Sequence, residues 1–463
     1  MKKIYIVTDL GPGDGGKGGV VHKIATMMNA HTVIKVGGSQ GSHGVKTSEG
    51  FNYAFSYWGC GTFEGIRTHI SSRMIVHPIG LLNEAELIRY GGFGIYNLFD
   101  LLTIDEEALC ATPYHGIVSR LKEMARGDDP RGTIGTGVGE SYRYSQQYPD
   151  LAIQVRDLLR PNLRDQLIAV REQIQRDLSP IIEGEFFPED RKIMEKEVYL
   201  LYDDGYLDFI LKQFQKAGQK AKTVDHDYLG KKILSKNGVA VVESSHGVLT
   251  DHYHGFYPHT SAIRTLPCFT QTMLKEAGFD GQIVNIGVFR AYAIRHGAGP
   301  MPTADPTMAE NLLPGSHKEE NRWQGKIRVG PIDLVLLRYA INVCGGPSAF
   351  DGLAVTWFDQ IERNGQWKIC KQYNNKDTDN RTYFTSSGEI KVRQGIDDEQ
   401  SEYQRNLGRR LLSCRPEITT LKIPSDAKQE ELYSFCADVS GKELGIPVRM
   451  VSLGPTERDK ICK

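Results

Sequence analysis

The run Gly11-Pro12-Gly13-Asp14-Gly15-Gly16-Lys17-Gly18-Gly19 constrains this chain more than any other stretch. It follows a short apolar segment, Ile4-Tyr5-Ile6-Val7, and precedes residues 20–28, whose apolar positions recur at helical spacing. A short apolar run bounded by polar residues reads as a buried strand. The order is therefore strand, glycine turn, helix, which is the layout of a phosphate-binding loop. Glycines let the backbone turn tightly and bring N–H groups up to an anion, and Lys17 adds a positive charge. The loop is not a Walker A sequence, because the spacing differs and no Ser or Thr follows Lys17. Asp14 sets it apart further. A carboxylate among phosphate-facing amides repels phosphate unless it holds a cation or takes a proton, so Asp14 is a candidate catalytic residue.

A second buried strand over residues 32–36 runs into Gly37-Gly38-Ser39-Gln40-Gly41-Ser42-His43-Gly44. Ligands of α/β proteins gather at the C-terminal ends of strands, which makes His43 a candidate acid/base partner of Asp14. Further strands are expected at 239–243, 282–287 and 352–358. Residues 150–235 read as helical, with a solvated charged face near 171–176. Residues 366–397 read as a polar surface loop or hairpin. Strands interleaved with helical stretches predict an α/β fold with a large, mostly parallel central sheet flanked by helices. A chain of 463 residues suits about three domains or one elaborated α/β unit.

Charge excludes other classes. With 56 Lys+Arg against 57 Asp+Glu, the chain lacks the basic excess of a nucleic-acid binder. No apolar run approaches the ~18 residues of a membrane span. The opening MKKIYIVTDLG has too short an apolar stretch for a secretory signal, so a cytoplasmic location is expected. Eight scattered cysteines with no C-x-x-C pair predict reduced thiols rather than a zinc site or disulfide framework.

Five blocks in order, GDGGKG, GGSQGSH, RGTIGTGVGESY, VVESSHGVLTDHYHGFYPHTS and FRAYAIRHGAGPMPT, resemble the adenylosuccinate synthetase family. The strongest is 290–303, close to the family's R-A-Y-x-x-R-x-G-A-G-P-x-P-T. Weaker similarity continues at 330–341, AVTWFDQ and VSLGPTERD. The resemblance implies a P-loop-type nucleotide-binding fold, one domain over 1–463 with helical and loop insertions, and a GTP-driven ligase that joins L-aspartate to IMP through a 6-phosphoryl intermediate. It implies Asp14 as the base, His43 on the developing charge, and Mg2+ at Asp14 and Ser42. Gly13, Gly15, Gly16, Lys17 and Gly18 would meet the GTP phosphates; Asp359, Ser452 and Gly454 would read guanine. Gln40, Thr133, Ile134, His246 and Ser261 fall at acceptor-binding positions, and Arg295 and Arg328 at aspartate-binding ones. A homodimer is the family's usual state.

The departures cluster on the acceptor. Ile134 and Thr136 stand where the family has a phosphate-binding threonine and an arginine, and Asp150 where a partner subunit donates an arginine. His246 replaces a glutamine, Gln40 an asparagine, and Trp357 the lysine of the guanine turn. The aspartate loop, GSHKEENRWQGKIRVG, keeps Arg322, Lys326 and Arg328 but not the threonines. Three readings stay open: adenylosuccinate synthesis; the same chemistry on a modified purine, deoxynucleotide or nucleoside; and a non-catalytic nucleotide-binding homologue. GTP is favoured over ATP by the retained Asp359.

Overall fold

The computed structural model describes residues 1–313, 322–374 and 381–463. Its strands are β1 (Lys2–Asp9), β2 (Thr32–Gly38), β3 (His43–Lys46), β4 (Asn52–Phe55), β5 (Arg67–Ile75), β6 (Leu102–Asp105), β7 (Lys222–Val224), β8 (Gly238–Ser244), β9 (Gln282–Arg290), β10 (Ala293–His296), β11 (Ile327–Gly330), β12 (Ile332–Asp333), β13 (Gly352–Thr356), β14 (Gln366–Tyr373), β15 (Pro416–Lys422), β16 (Val448–Ser452) and β17 (Lys460–Cys462). Ten of them form one sheet in the order β17-β16-β13-β9-β1-β8-β2-β5-β6-β7. Every pairing in it is parallel except β16 with β17.

Alternation along the strands explains why both faces are covered. Ile4 and Ile6 of β1, Ile34 and Val36 of β2, and Ala240 and Val242 of β8 share one apolar cluster with Met273 and Leu274. Their neighbours Val7, Val33 and Val241 belong to a second cluster on the other side. Parallel strands buried on both faces read as near-continuous apolar runs, as these do. Helix α1 (Lys17–Met27) begins directly after the glycine turn and buries Val20, Val21, Ile24 and Ala25.

After α2 (Pro78–Tyr90), helices α3 (Pro113–Met124), α4 (Val138–Gln147), α5 (Leu163–Ile182), α6 (Arg191–Tyr202) and α7 (Asp204–Lys220) account for most of residues 113–220. The apolar stripe of α5, Leu163, Leu167, Val170, Ile174 and Leu178, is buried, while Glu172 and Arg176 face solvent. Arg171 is largely covered and pairs with Asp204 at 2.9 Å. No described helix is long and apolar enough to cross a membrane, and all eight cysteines are free thiols.

One expectation is corrected. The stretch 366–397 is not simply a surface loop: its first eight residues are β14, paired antiparallel with β15 and parallel with β12. Trp367 and Ile369 alternate with Lys368, and the indole is buried, donating to the Ala291 carbonyl at 2.6 Å. Residues 375–380, the centre of NNKDTDNR, lie outside the described residues.

Candidate active site

The carboxyl ends of β1, β2, β8, β9, β13 and β16 open onto one cavity of about 870 Å³. Its walls include Gly13, Asp14, Gly16, Lys17 and Gly18 after β1; Gln40, Ser42 and His43 after β2; His246 after β8; Asp359 after β13; and Ser452 and Gly454 at the end of β16. Thr133, Ile134, Ser261 and Arg295 line it from the other side. Two of the residues expected at the site do not line the cavity. Gly15, between Asp14 and Gly16, is not part of the cavity wall, and its N–H donates to the Asp9 carboxylate at 2.8 Å. Arg328 donates to the carbonyls of Gly297 and Gly299 at 2.6 and 2.7 Å and is not part of the cavity wall. Arg322 pairs with Asp190, and residues 314–321 of the expected aspartate loop lie outside the described residues.

Asp9 organises the glycine loop. Its carboxylate accepts the N–H groups of Gly11 and Gly15, both at 2.8 Å, and the ammonium of Lys17 at 2.9 Å. Lys17 also donates to the His246 carbonyl at 2.8 Å, which ties the β1 loop to the β8 loop. At the turn's crest Asp14 has φ 56°, a left-handed conformation that Asp tolerates better than most residues. Its Oδ2 lies 2.9 Å from His296 Nε2, and Arg290 donates to its carbonyl at 2.6 Å. Burial raises the Asp14 pKa, but His296, Arg290 and Lys17 outweigh it and hold the carboxyl well below the usual range.

His43 is oriented by a buried charge cluster. Its Nδ1 lies 2.7 Å from Glu243 Oε1, the same oxygen that accepts from Lys35 Nζ at 2.6 Å; the other oxygen accepts the Cys60 N–H at 2.8 Å. Lys35 and Glu243 are 1% and 0% exposed and face each other in the β2–β8 register. Burial pushes the Glu243 pKa up, but Lys35 and His43 reverse this and hold it low. Burial lowers the His43 pKa, against the raising effect of Glu243. His43, Cys60 and Glu243 are close enough to share a metal ion, but the Lys35 ammonium already supplies the cation there.

Close packing couples the loop to His43. A Cβ on Gly18 would lie 2.4 Å from the Gly44 carbonyl oxygen and 2.9 Å from the His43 carbonyl carbon. Backbone cannot yield as a side chain does, so Gly18→Ala should cost about 1–3 kcal/mol, measured by urea unfolding, and should displace β3. An unchanged midpoint would show that α1 and β3 separate freely.

Gln40 Nε2 lies 2.8 Å from His246 Nε2, and the Gln40 Oε1 is buried without a partner. His246 sits at φ 63°, with its pKa lowered to about 4 by burial and the nearby Lys17. A neutral ring accepting at Nε2 carries its proton on Nδ1. Thr133 Oγ1 meets Ser119 Oγ at 2.7 Å, and Arg295 donates to the carbonyls of Ala298 and His259. Ile134 remains 38% exposed.

At the far end Asp359, buried, accepts from the Gln360 amide at 2.7 Å. Trp357 has φ 58°, and the Arg290 guanidinium lies 4.0 Å from its ring centre, so one aromatic face is covered by a cation. Lys460 lines the same region, its pKa lowered to about 8 by burial, and donates to the carbonyls of Pro455 and Thr456.

Sequence reasoning missed Asp9, Lys35, Glu243, His296 and Lys460. A signal existed for the buried pair: Lys35 and Glu243 each interrupt an otherwise apolar strand, and such charges are rarely buried unpaired.

The family model described as adenylosuccinate synthetase matches residues 6–461. The adenylosuccinate synthetase of Porphyromonas gingivalis is 26% identical over the whole of both chains. That of Chlorobium luteolum is 26% identical, covering 97% of this chain and 95% of its own. Among solved structures, the fully ligated adenylosuccinate synthetase of Plasmodium falciparum superposes with a TM-score of 0.73 at 18% identity, covering 99% of each chain. A cyanophage S-2L succinoaminodeoxyadenylate synthetase bound to dGMP and dATP superposes with a TM-score of 0.53 at 12% identity, covering 100% of this chain and 95% of its own.

Proposed function

The chain belongs to the adenylosuccinate synthetase family, and on that premise we propose that it is a GTP-dependent ligase joining L-aspartate to carbon 6 of a 6-oxo purine nucleotide. The reaction is IMP, L-aspartate and GTP to adenylosuccinate, GDP and phosphate. What carries the reading is the meeting, in one cavity, of the glycine loop, Asp14, and a His43 oriented by Glu243.

In the first step Asp14 takes the N1 proton and the 6-oxygen attacks the γ-phosphorus, breaking its bond to GDP. Charge develops on the transferring oxygens. His43 presents Nε2 to them while Glu243 at Nδ1 stabilises the protonated ring. In the second step the aspartate amine attacks carbon 6, and the carbon–oxygen bond breaks to release phosphate. The low pKa of unliganded Asp14 reflects its cationic neighbours; an anionic triphosphate bound beside it offsets them and strengthens the base.

Asp14 offers a carboxylate oxygen, and Gly41 and Ser42 line the same cavity. Asp14 and the loop at Gly41 and Ser42 would hold the ion, since a few hard oxygens beside phosphate positions suit Mg2+. When bound, the ion would neutralise charge on the phosphoryl group. The homodimer expected from the family belongs to this proposal.

A second reading keeps the chemistry and changes the acceptor. The half-exposed Ile134 in the cavity wall favours it, as does the existence of the fold neighbour described as bound to dGMP. Phosphate release with Mg2+, L-aspartate and GTP or ATP, run against IMP, dIMP, inosine, GMP and dGMP with mass spectrometry for a succinyl adduct, separates them. Turnover with IMP and GTP is expected. No adduct with any acceptor, while GTP still binds, would favour the non-catalytic homologue.

Asp359 supplies the base selectivity in this reading. Asp359→Asn should lower the GTP-to-ATP ratio of kcat/KM by about tenfold or more, since a buried carboxylate that pairs with donors on guanine is replaced by a neutral amide. An unchanged ratio would mean guanine is not read there.

A further inference from the structure

Asp14 has a neighbour that the proposed mechanism does not use. His296 stands between Arg295 and Gly297, at a position the family pattern leaves unspecified. It ends β10, where antiparallel pairing with β11 sets it opposite Ile327. Gly297 follows at φ 61°, and a Cβ there would lie 2.1 Å from the Gln324 carbonyl oxygen, so the tight turn fixes the backbone that carries His296. His296 lines the same cavity as Asp14, Gly41 and Ser42. Its Nε2 lies 2.9 Å from Asp14 Oδ2, and the two side chains are 31% and 46% exposed, so each has room to turn toward a guest between them. The nearby cations are engaged elsewhere. Lys17 donates to Asp9 and to the His246 carbonyl. Arg290 donates to the Asp14 carbonyl and the Tyr292 hydroxyl and covers the Trp357 ring.

We propose that His296 Nε2 joins Asp14 Oδ2 as a ligand of the divalent ion, making a mixed nitrogen–oxygen site that favours Co2+ and Mn2+ over Mg2+. Neighbouring ligands on an octahedral ion, each at ~2.1 Å, stand about 3 Å apart. The two atoms already have that separation. Carboxylate, carbonyl and water oxygens suit Mg2+, whereas an imidazole raises affinity along the first-row series, for Co2+ more than for Mn2+. Ligation through Oδ2 leaves Asp14 Oδ1 for the N1 proton. The inference rests on the metal site of the proposed function and changes its donor set.

The test is pulsed electron paramagnetic resonance of the Mn2+ complex formed with GDP, on wild type and His296→Gln. Protein labelled uniformly with ¹⁵N, used with unlabelled GDP, separates protein nitrogen from guanine nitrogen. Calorimetric titrations of Co2+, Mn2+ and Mg2+ with GDP present accompany it. The glutamine amide can still donate to Asp14 Oδ2 but supplies no ring nitrogen, and the partly exposed position favours folding; circular dichroism is checked against wild type. Wild type should show coupling of the ion to a directly bound ¹⁵N, absent from His296→Gln. The substitution should weaken Co2+ binding by at least about tenfold, Mn2+ by less, and Mg2+ by under about threefold. No protein nitrogen coupling in wild type, coupling that survives in His296→Gln, equal losses for the three ions, or no metal binding at all would each overturn the proposal. If the nitrogen coupling follows the expected pattern but no acceptor turns over, the ligase reading fails and the ligand set stands. Turnover without that coupling would leave the ligase and remove His296 from the metal.

Discussion

Replacing Asp14 by asparagine is expected to lower turnover by about 10³-fold or more while GTP binding stays measurable. The variant is a clean one for a structural reason. Asp14 lies at φ 56°, and asparagine is among the few non-glycine residues that adopt this conformation readily. The loop therefore keeps its shape, and Asp9 continues to hold Gly11, Gly15 and Lys17. What is lost is the basic oxygen that accepts the N1 proton, and the carboxylate paired with His296 at 2.9 Å. Steady-state turnover alongside calorimetric GTP binding reads both effects. Wild-type turnover in Asp14→Asn would remove Asp14 as the base.

The second large effect is at Glu243. Glu243→Gln leaves the Lys35 ammonium buried without its counter-ion, a change that costs about 3–5 kcal/mol. It also releases His43 Nδ1 from a carboxylate at 2.7 Å, so turnover should fall by about 10²-fold. The pH dependence has a definite sign. The folded Glu243 carboxyl is held below its ordinary value, so the unfolded chain binds more protons as pH drops. Its stabilisation is complete above the unfolded carboxyl's pKa of about 4.3 and is lost as pH falls below it. The stability gap between wild type and Glu243→Gln, from urea unfolding, should be widest near neutral pH and narrow in acid. A second substitution, Lys35→Met, should recover part of the loss by removing the stranded charge. A Glu243→Gln protein as stable as wild type would show that Lys35 finds another partner.

Much of this architecture was legible in local sequence. The short apolar runs 4–7 and 32–36 and the glycine turns after them announce a parallel sheet with its site at the strand ends, because such runs, glycine and helical spacing are local signals. The loop's interior was not legible. Asp9 lies just past the apolar run 4–7 and carried no signal of its own, yet it captures the Gly15 amide and the Lys17 ammonium, an arrangement that only the folded turn shows. The surroundings of Arg328 were illegible for the same reason: its donors meet the carbonyls of Gly297 and Gly299, a hairpin contact that residue type cannot reveal. His296 sits at a position the motif leaves unspecified, and its pairing with Asp14 joins residues 282 apart in sequence. The strand β14 was passed over because its polar flanks masked the alternation of Trp367 and Ile369.

The central claim is that the 6-oxygen of the acceptor becomes a phosphate oxygen. Turnover of an acceptor carrying ¹⁸O at position 6, with GTP, L-aspartate and Mg2+, followed by mass spectrometry of the released phosphate, tests it directly. Phosphate carrying one ¹⁸O atom per turnover is the predicted result. Unlabelled phosphate, with the label released to water or kept in the nucleotide, would contradict it.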